Sequence, residues 1–195
     1  MKLPALLTTA LLLACAGLAP LSATAQGRPD PAPLMAAQRE AMAALQRMDG
    51  VWRGTAWTLL PSGEKHNIVQ TERIGPFLDG TVKVIEGRGY EPDGRLSFNA
   101  FGVVSFNAAT RAYNFRSHAL GQSGDFAFAA TADGYSWEIP AGPATIRYTA
   151  VIKDGTLREV GDRIVAGREP QRFFEMTLQR VADSDWPAAG AIGPK

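Results

Sequence analysis

The sequence predicts an all-β fold, an antiparallel up-and-down closed barrel of about ten strands with a short N-terminal helix capping the bottom. From residue 51 onward, strand-length runs rich in Val, Ile, Thr, Phe and Tyr are separated by clusters of glycine, proline and aspartate. No helix-length periodic segment interrupts these runs. An even number of strands joined by short hairpins sets the last strand antiparallel to the first, and their pairing removes both sheet edges.

The first 25 residues have the features of a signal peptide. A charged start at Lys2 is followed by an apolar run over residues 3–14 and by an A-x-A cleavage site at residues 23–25. Cleavage after Ala25 makes the mature protein periplasmic or secreted. The alternative is a lipoprotein processed at Cys15, since residues 12–15 loosely resemble a lipidation box, but it is less favoured because Leu13 fits that pattern poorly.

Composition and charge argue against several classes of partner. Removing residues 1–25 takes away one of the 20 basic residues, so 19 basic and 19 acidic residues remain and the mature chain has no net charge. Nucleic acid and anionic membranes are therefore not expected as partners. No segment approaches the roughly 20 apolar residues of a transmembrane helix. The single cysteine of the chain leaves with the signal peptide, so no disulfide is expected.

The regions that flank the barrel differ in composition. Residues 26–33 are a proline-rich linker, in which neither a helix nor a sheet ladder is expected. Residues 34–48 predict a helix whose larger apolar residues fall near one face, and we expect it to cap the bottom of a barrel spanning residues 49–182. Residues 183–195 form a C-terminal tail with at most one docking tryptophan, Trp186.

Ten runs predict the strands. They cover residues 51–59, 66–75, 81–90, 95–106, 112–118, 125–131, 134–140, 145–153, 156–165 and 172–181. The bottom turns include the tight Asp-Gly pairs at residues 133–134 and 154–155, whereas all the top connections are expected to be longer and looser. We therefore expect the open end, and any binding site, at the top.

The stretch from Met48 to Leu60 sets the first strand. It passes through Gly50 and places Trp52 at the bottom of that strand. If the last strand pairs with the first, Arg180 lies beside Trp52, and their stacking contributes on the order of 1 kcal/mol. Gly50, Trp52 and Arg180 are therefore predicted to be structural residues.

Two patterns resemble known families. Gly50-Val51-Trp52 looks like the G-x-W start of lipocalin-type barrels, and Arg180 resembles the arginine that covers that tryptophan. TERIGPFLDG at residues 71–80 and VIEGRGY at residues 84–90, with Phe-Gly-Val at 101–103, are similar to the bacterial family of unknown function DUF1579. The resemblance spans about Met48 to Val181 and implies a lipocalin-like, calycin-type barrel. It implies no activity or substrate.

The second and third predicted strands place a polar cluster at the open end. We take their register with Ile74 opposite Val82 and expect even-numbered residues to face inward. The residues of this hairpin predicted to bind ligand are then His66, Glu86, Arg88 and Tyr90. Arg88 favours a ligand that carries a carboxylate.

Glu72 and Glu86 both enter the barrel in this register. They are candidates for a general acid and base, because burial would raise the pKa of one carboxyl toward neutrality. The favoured interpretation of Glu72 is structural: a buried carboxylate that Arg88 or Arg73 neutralises.

Inward aromatic residues supply the rest of the predicted site. They provide a stacking surface for a flat or lipidic ligand or simply the core, and Tyr148 and Phe174, toward the top, are the two expected to contact a ligand.

The sequence leads to three hypotheses for the function. The leading one is an exported lipocalin-like protein that binds a small apolar or amphipathic molecule at the open end. The alternatives are an isomerase, cyclase or lyase that uses Glu72 or Glu86 as acid or base, and a structural or interaction module with a filled barrel. No catalytic residue, metal ligand or cofactor is assigned, because His66 and His118 match no metal motif, and haem on a single histidine is a remote alternative. The oligomeric state is left open.

Overall fold

The computed structural model describes residues 30–186 and residue 193. The predicted signal peptide with Cys15, residues 26–29 of the linker and most of the tail beyond Trp186 lie outside the described residues.

The described chain contains a short helical lead-in followed by ten strands. Helix α1 spans Ala32–Ala43, and a 3₁₀ helix spans Gln46–Met48. The strands are β1 (Gly50–Leu59), β2 (Lys65–Phe77), β3 (Val82–Tyr90), β4 (Leu96–Asn107), β5 (Ala112–Ala119), β6 (Gln122–Ala130), β7 (Gly134–Ala141), β8 (Ala144–Lys153), β9 (Thr156–Val165) and β10 (Gln171–Ala182). Neither described helix is long and apolar enough to cross a membrane.

The ten strands form a closed antiparallel barrel. Each strand pairs with its neighbours in the chain, and β10 pairs with β1, so the sheet has no free edge. The predicted fold class is confirmed, and every predicted strand corresponds to one observed strand. Alternating apolar residues account for this result, because each strand presents one face to the interior and the other to solvent.

Helix α1 covers the bottom of the barrel. The hydroxyl of Tyr113 donates a 2.7 Å hydrogen bond to the carbonyl oxygen of Ala41, and Arg39 forms a 3.0 Å ion pair with Asp79 in the β2–β3 turn. Met42 is buried in the same core cluster as the inward side chains of the strands. The helix begins two residues earlier than predicted because Pro33 occupies its first turn, where a missing N–H costs nothing.

The first and last strands meet at the bottom as predicted. Trp52 is paired with Arg180, whose guanidinium carbon lies 5.9 Å from the centroid of the indole. The Trp52 indole donates to the carbonyl oxygen of Met48 at 2.9 Å, and Arg180 donates to the carbonyl oxygen of Asp49 at 2.7 Å. Both side chains thus fix the turn that leads from the 3₁₀ helix into β1.

A buried ion pair lies at the bottom of the barrel, and sequence analysis missed it. Lys83 is an inward residue of β3, its side chain is 2% exposed, and its ammonium donates to the carboxylate of Asp49. Burial lowers the pKa of Lys83, and the hydrogen bond and charge of Asp49 oppose this effect. Asp49 is therefore the ion-pair partner of an inward lysine beneath the helical cap.

The predicted contrast between tight bottom turns and loose top connections holds only in part. Two top connections are tight hairpins, at residues 120–121 between β5 and β6 and at residues 142–143 between β7 and β8. Leu120 has a φ of 50° and Gly121 a φ of 77°, the paired positive values of a hairpin turn. Strand β6 therefore begins at Gln122, three residues earlier than predicted.

The first residues of the tail pack on the outer face of β2. Trp186 makes an edge contact with Phe77 at a centroid distance of 5.5 Å, and the guanidinium of Arg73 lies 4.4 Å from the Trp186 ring centroid. Arg73 also pairs with Asp185 at 2.5 Å. Gly75 leaves room for this segment, because a Cβ there would lie 2.9 Å from the Cβ of Trp186. Trp186 is thus a docked tryptophan within the described part of the tail.

Candidate ligand-binding site

The observed register between β2 and β3 differs from the predicted one. Phe77 pairs with Val82 and Ile74 pairs with Ile85, so the expected pairing of Ile74 with Val82 is wrong by three residues. Strand β2 continues through Pro76, and the turn follows with Leu78 at a φ of 50°. A shift by an odd number exchanges the two faces of β3.

Glu86, Arg88 and Tyr90 consequently lie on the outer face and do not line the mouth of the barrel. Arg88 pairs with Glu86 at 2.6 Å, and its side chain is 45% exposed. Hydrogen bonds from this guanidinium to Glu86 and Tyr90 raise the pKa of Arg88. The inward residues of β3 include Gly87 and Gly89 instead.

His66 lies at the top end of β2 and is exposed. Its Nε2 atom lies 3.1 Å from Oε2 of Glu91, and this contact lowers the pKa of Glu91. His118 is an exposed residue of β5 paired with Phe101, so the structure does not bring the two histidines together. Among the described residues, no group of three or more His, Cys, Asp and Glu side chains is arranged to hold a metal ion.

Glu72 enters the barrel as predicted, but its partner is an amide. Gln70, two residues earlier on the same face of β2, donates a 2.8 Å hydrogen bond to Oε1 of Glu72. The two arginines expected to neutralise this carboxyl bond elsewhere, Arg73 to Asp185 and Arg88 to Glu86. The predicted ion pair of Glu72 is therefore wrong.

The glycines of β3 provide the space for these two polar side chains. Glu72 is paired with Gly87 and Gln70 with Gly89. A Cβ on Gly87 would lie 2.8 Å from Oε1 of Glu72, and one on Gly89 would lie 2.6 Å from Cδ1 of Ile68 and 3.3 Å from the Gln70 side-chain oxygen. The Gly-Arg-Gly segment is thus explained by cross-strand side chains that lie over glycine.

A second buried carboxyl, Glu159, faces the same interior from β9. Its Oε1 accepts a 3.0 Å hydrogen bond from the indole of Trp137, and the hydroxyl of Tyr135 also donates to it. Sequence analysis missed this residue although the bounds of β9 were predicted correctly. Its alternation with buried Leu157 and Gly161 could have identified it as inward.

Both carboxyl groups titrate near neutrality. Burial raises the pKa of Glu72 to about 8, the charges of Glu159 and Glu86 raise it further, and the Gln70 hydrogen bond opposes them. Burial likewise raises the pKa of Glu159 to about 7 against the hydrogen bonds from Trp137 and Tyr135. In the described residues, no basic side chain is bonded to either group.

Aromatic rings form the wall beside Glu159. Trp137 and Tyr148 stack with a centroid separation of 4.2 Å and an interplanar angle of 6°. Phe174 packs edge-on to Tyr148 at 5.7 Å, and Phe115 packs edge-on to Trp137 at 5.1 Å. Tyr148 and Phe174, the two aromatic residues predicted to contact a ligand, thus lie in one cluster beside a buried carboxyl.

The interior is filled at the bottom and accessible toward the top. Inward side chains near the helical cap are fully buried, as shown by Trp52, Ile74, Val104, Leu157 and Leu178. Inward side chains nearer the top are only partly buried, among them Ile68, Phe98, Ile139, Ile146, Tyr148 and Phe174. The upper half of the interior, here called the lumen, therefore retains accessible surface.

Two polar atoms of the wall are free to bind something in the lumen. Within the described chain, Oε2 of Glu72 and the hydroxyl of Tyr148 make no hydrogen bond to protein. No fully buried side-chain nitrogen or oxygen of the described residues lacks a partner, so these two atoms must be accessible from the lumen. An apolar wall with a few accessible polar atoms is the usual composition of a small-molecule site.

Comparison with known proteins supports the fold. No protein-family model and no curated protein matches the chain. The crystal structure of Rv2717c from M. tuberculosis is similar, with a TM-score of 0.53 and 12% sequence identity over 74% of this chain and 97% of that one. At this identity, the similarity shows the barrel fold alone.

Proposed function

We propose that this protein is an exported, lipocalin-like barrel that binds a small apolar or amphipathic molecule in the lumen. The observation that carries the proposal is the pair of inward carboxyl groups, Glu72 and Glu159, on an aromatic wall that remains partly accessible from the top. Placing two carboxyl groups inside a barrel costs stability, and a binding role explains why the interior is not simply apolar. No cofactor is proposed.

The ligand would lie against the stacked rings of Trp137 and Tyr148. These two rings stack on each other, and Phe174 packs edge-on against Tyr148, so together they form an apolar aromatic wall. The accessible oxygen of Glu72 and the hydroxyl of Tyr148 would orient a polar group of the ligand. The outer-face cluster of Glu86, Arg88 and Tyr90 takes no part in this proposal.

An uncharged fluorescent dye tests the lumen directly. N-phenyl-1-naphthylamine gains emission when it enters an apolar site, and we expect saturable binding to the protein. Ser117 is an inward, partly buried residue of β5, whereas Ser123 is an exposed residue on the outer face of β6. We expect Ser117→Trp to fill the lumen and weaken dye binding by at least about tenfold, and Ser123→Trp to leave it unchanged.

Two outcomes with the wild-type protein and these variants would contradict the binding proposal. Absence of saturable dye binding by the wild-type protein would contradict the proposal. Equal binding by the Ser117→Trp and wild-type proteins would place the dye outside the lumen and contradict it as well. Circular dichroism of both variants checks that the barrel is intact.

Acid–base catalysis is a second candidate, favoured by the near-neutral pKa values of Glu72 and Glu159. A carboxylate in an apolar cavity removes the C3 proton of 5-nitrobenzisoxazole while the ring N–O bond breaks, which yields a coloured cyanophenolate. We expect a rate above buffer that increases as pH rises through about 8 and is lost in Glu72→Gln. A rate equal to that of buffer would contradict the catalytic hypothesis without affecting the binding proposal.

We also propose export, on the basis of residues 1–25. N-terminal sequencing of protein recovered from the periplasm of an expressing bacterium should give Gln26 as the first residue. A lipidated Cys15 would support the lipoprotein alternative instead. Membership of DUF1579 stays a prediction that rests on the motifs alone.

A further inference from the structure

We propose that the ligand of the lumen is a hydrophobic amine, bound as its ammonium ion between Glu72 and Glu159 with its apolar body against Trp137 and Tyr148. This inference rests on the proposed binding function and specifies the chemical class of ligand. It opposes the sequence-based expectation of a carboxylate ligand, because Arg88, on which that expectation depended, lies on the outer face.

The charge of the lumen favours a cation. Glu72 and Glu159 face the interior from β2 and β9, and the residues that bond to them are an amide, an indole and a phenol. None of these three partners carries a positive charge, so neither carboxyl group has a cationic partner within the described chain. An ammonium ion beside either carboxyl group would stabilise its ionised form and donate a charge-assisted hydrogen bond to it.

The basic residues at the two ends of the barrel do not pair with either of these carboxyl groups. At the bottom, Lys83 is engaged by Asp49 beneath the helical cap. At the top, His66 contacts Glu91. Arg163, on the inward register of β9 two residues beyond Gly161, is exposed. The aromatic residues Tyr135 and Tyr148 stay uncharged at physiological pH, because burial raises the pKa of both.

The geometry of the wall suits an ammonium ion with an aromatic or aliphatic body. Oε2 of Glu72 accepts no hydrogen bond from the described residues and is accessible from the lumen. The stacked pair of Trp137 and Tyr148, at 4.2 Å, offers π-faces and edges beside Glu159. Carboxylate and aromatic groups together recognise alkylammonium ions through charge-assisted hydrogen bonds and cation–π attraction.

Three probes of matched size test the charge preference. These are 2-phenylethylamine, the neutral alcohol 2-phenylethanol, and 3-phenylpropionate, each competed against N-phenyl-1-naphthylamine. We expect the amine to displace the dye at about one tenth of the concentration that the alcohol requires, or less, and the carboxylate to be weakest. Equal potency of amine and alcohol, or preference for the carboxylate, would overturn the inference.

Substitutions and pH test whether Glu72 itself, and not the overall charge of the protein, selects the amine. Glu72→Gln should weaken the amine about tenfold and leave the alcohol unchanged, whereas Glu138→Gln, in an outer-face pair with Arg147, should change neither. Amine binding should strengthen from pH 6 to pH 9, because Glu72 ionises near pH 8 while an alkylammonium stays charged. An amine affinity that Glu72→Gln does not alter would contradict the inference.

Failure of this inference differs from failure of the proposed function. If the dye binds in the lumen but amine and alcohol compete equally, the barrel binds small molecules without selecting a cation. If neither the dye nor any of the three probes binds, the binding function itself fails, and the inference fails with it.

Discussion

The indole nitrogen of Trp137 donates a 3.0 Å hydrogen bond to Oε1 of Glu159 inside the barrel. This contact joins the aromatic wall to one of the two interior carboxyl groups. Because the indole is a donor only, it favours the ionised form of Glu159 and partly offsets the effect of burial on its pKa. A change in the protonation state of Glu159 should therefore change the chemical shifts of the Trp137 indole N–H.

The indole N–H resonance of Trp137 should titrate with Glu159. We expect its ¹H and ¹⁵N shifts to change between pH 5 and pH 9 with a midpoint near 7, the pKa of this carboxyl. Trp137→Phe assigns the signal, and Glu159→Gln should abolish the change. The outer-face residue Trp57, which lies against Lys65 at 3.7 Å, provides an internal reference with no such midpoint. A Trp137 signal that is flat across this range would contradict the assigned pKa.

Glu72 should make the barrel less stable as pH rises. Its pKa is about 8 in the folded protein against 4.5 as the reference, so the folded state binds more protons than the unfolded state between these values. The contribution of protonated Glu72 to the free energy of unfolding is therefore fully present below about pH 4.5 and is lost as pH rises through about 8. Glu72→Gln removes this dependence, and at pH 9 we expect it to be more stable than wild type by on the order of 2–4 kcal/mol.

Urea denaturation at pH 5, 7 and 9 measures this difference. At pH 5, Glu72→Gln and wild type should agree within about 1 kcal/mol, since a neutral amide resembles a protonated carboxyl. Glu138→Gln, on the outer face, provides a control for charge removal and should show no such trend. An advantage of Glu72→Gln that does not grow with pH would contradict the assignment of a raised pKa.

The fold was predictable from sequence because each strand carries its own signal. Alternation and turn residues placed β9 at residues 156–165 with both ends correct. The error at β6 had a local cause, since Leu120-Gly121 forms a tight hairpin with a leucine at positive φ, a residue that rarely takes that conformation. The pairing of β1 with β10 followed from the even number of strands joined by hairpins, and placing Trp52 at the bottom of β1 then set Arg180 beside it.

The candidate site was less predictable because it depends on register between strands. Pairing Ile74 with Val82 across a turn at residues 75–80 shifted β3 by three residues and moved Glu86, Arg88 and Tyr90 to the wrong face. Pro76 lies within β2 instead, where a missing N–H is tolerated. Glu72, by contrast, was placed correctly because its direction follows from its own strand.

Gly50 should be irreplaceable at the bottom of β1. It has a φ of 150°, and a Cβ there would lie 2.7 Å from Nε of Arg180. We expect Gly50→Ala to destabilise the protein by about 2–3 kcal/mol, part from backbone strain and part from displacing the guanidinium. Thermal unfolding monitored by circular dichroism measures the loss.

A glycine in open surroundings separates these two contributions. Gly63 has a φ of 87°, and a Cβ there would meet nothing within 4 Å, so Gly63→Ala reports strain without a contact. The excess cost of Gly50→Ala over Gly63→Ala should shrink when Arg180 is also replaced by alanine. Equal costs for the two glycine variants would show that Arg180 does not restrict this position.

Asp49 should be essential because Lys83 is buried against it. The Lys83 side chain is 2% exposed, and Asp49 is its ion-pair partner. Asp49→Ala leaves this ammonium without a counter-charge, and we expect a loss of about 3–5 kcal/mol at neutral pH by chemical denaturation. Replacing both residues in Asp49→Ala/Lys83→Met should recover most of that loss, since a methionine of similar length needs no partner. Asp79→Ala, which breaks the exposed pair with Arg39, should cost no more than about 1 kcal/mol. If the double variant is as unstable as Asp49→Ala alone, Asp49 acts through the turn into β1 and not through the charge of Lys83.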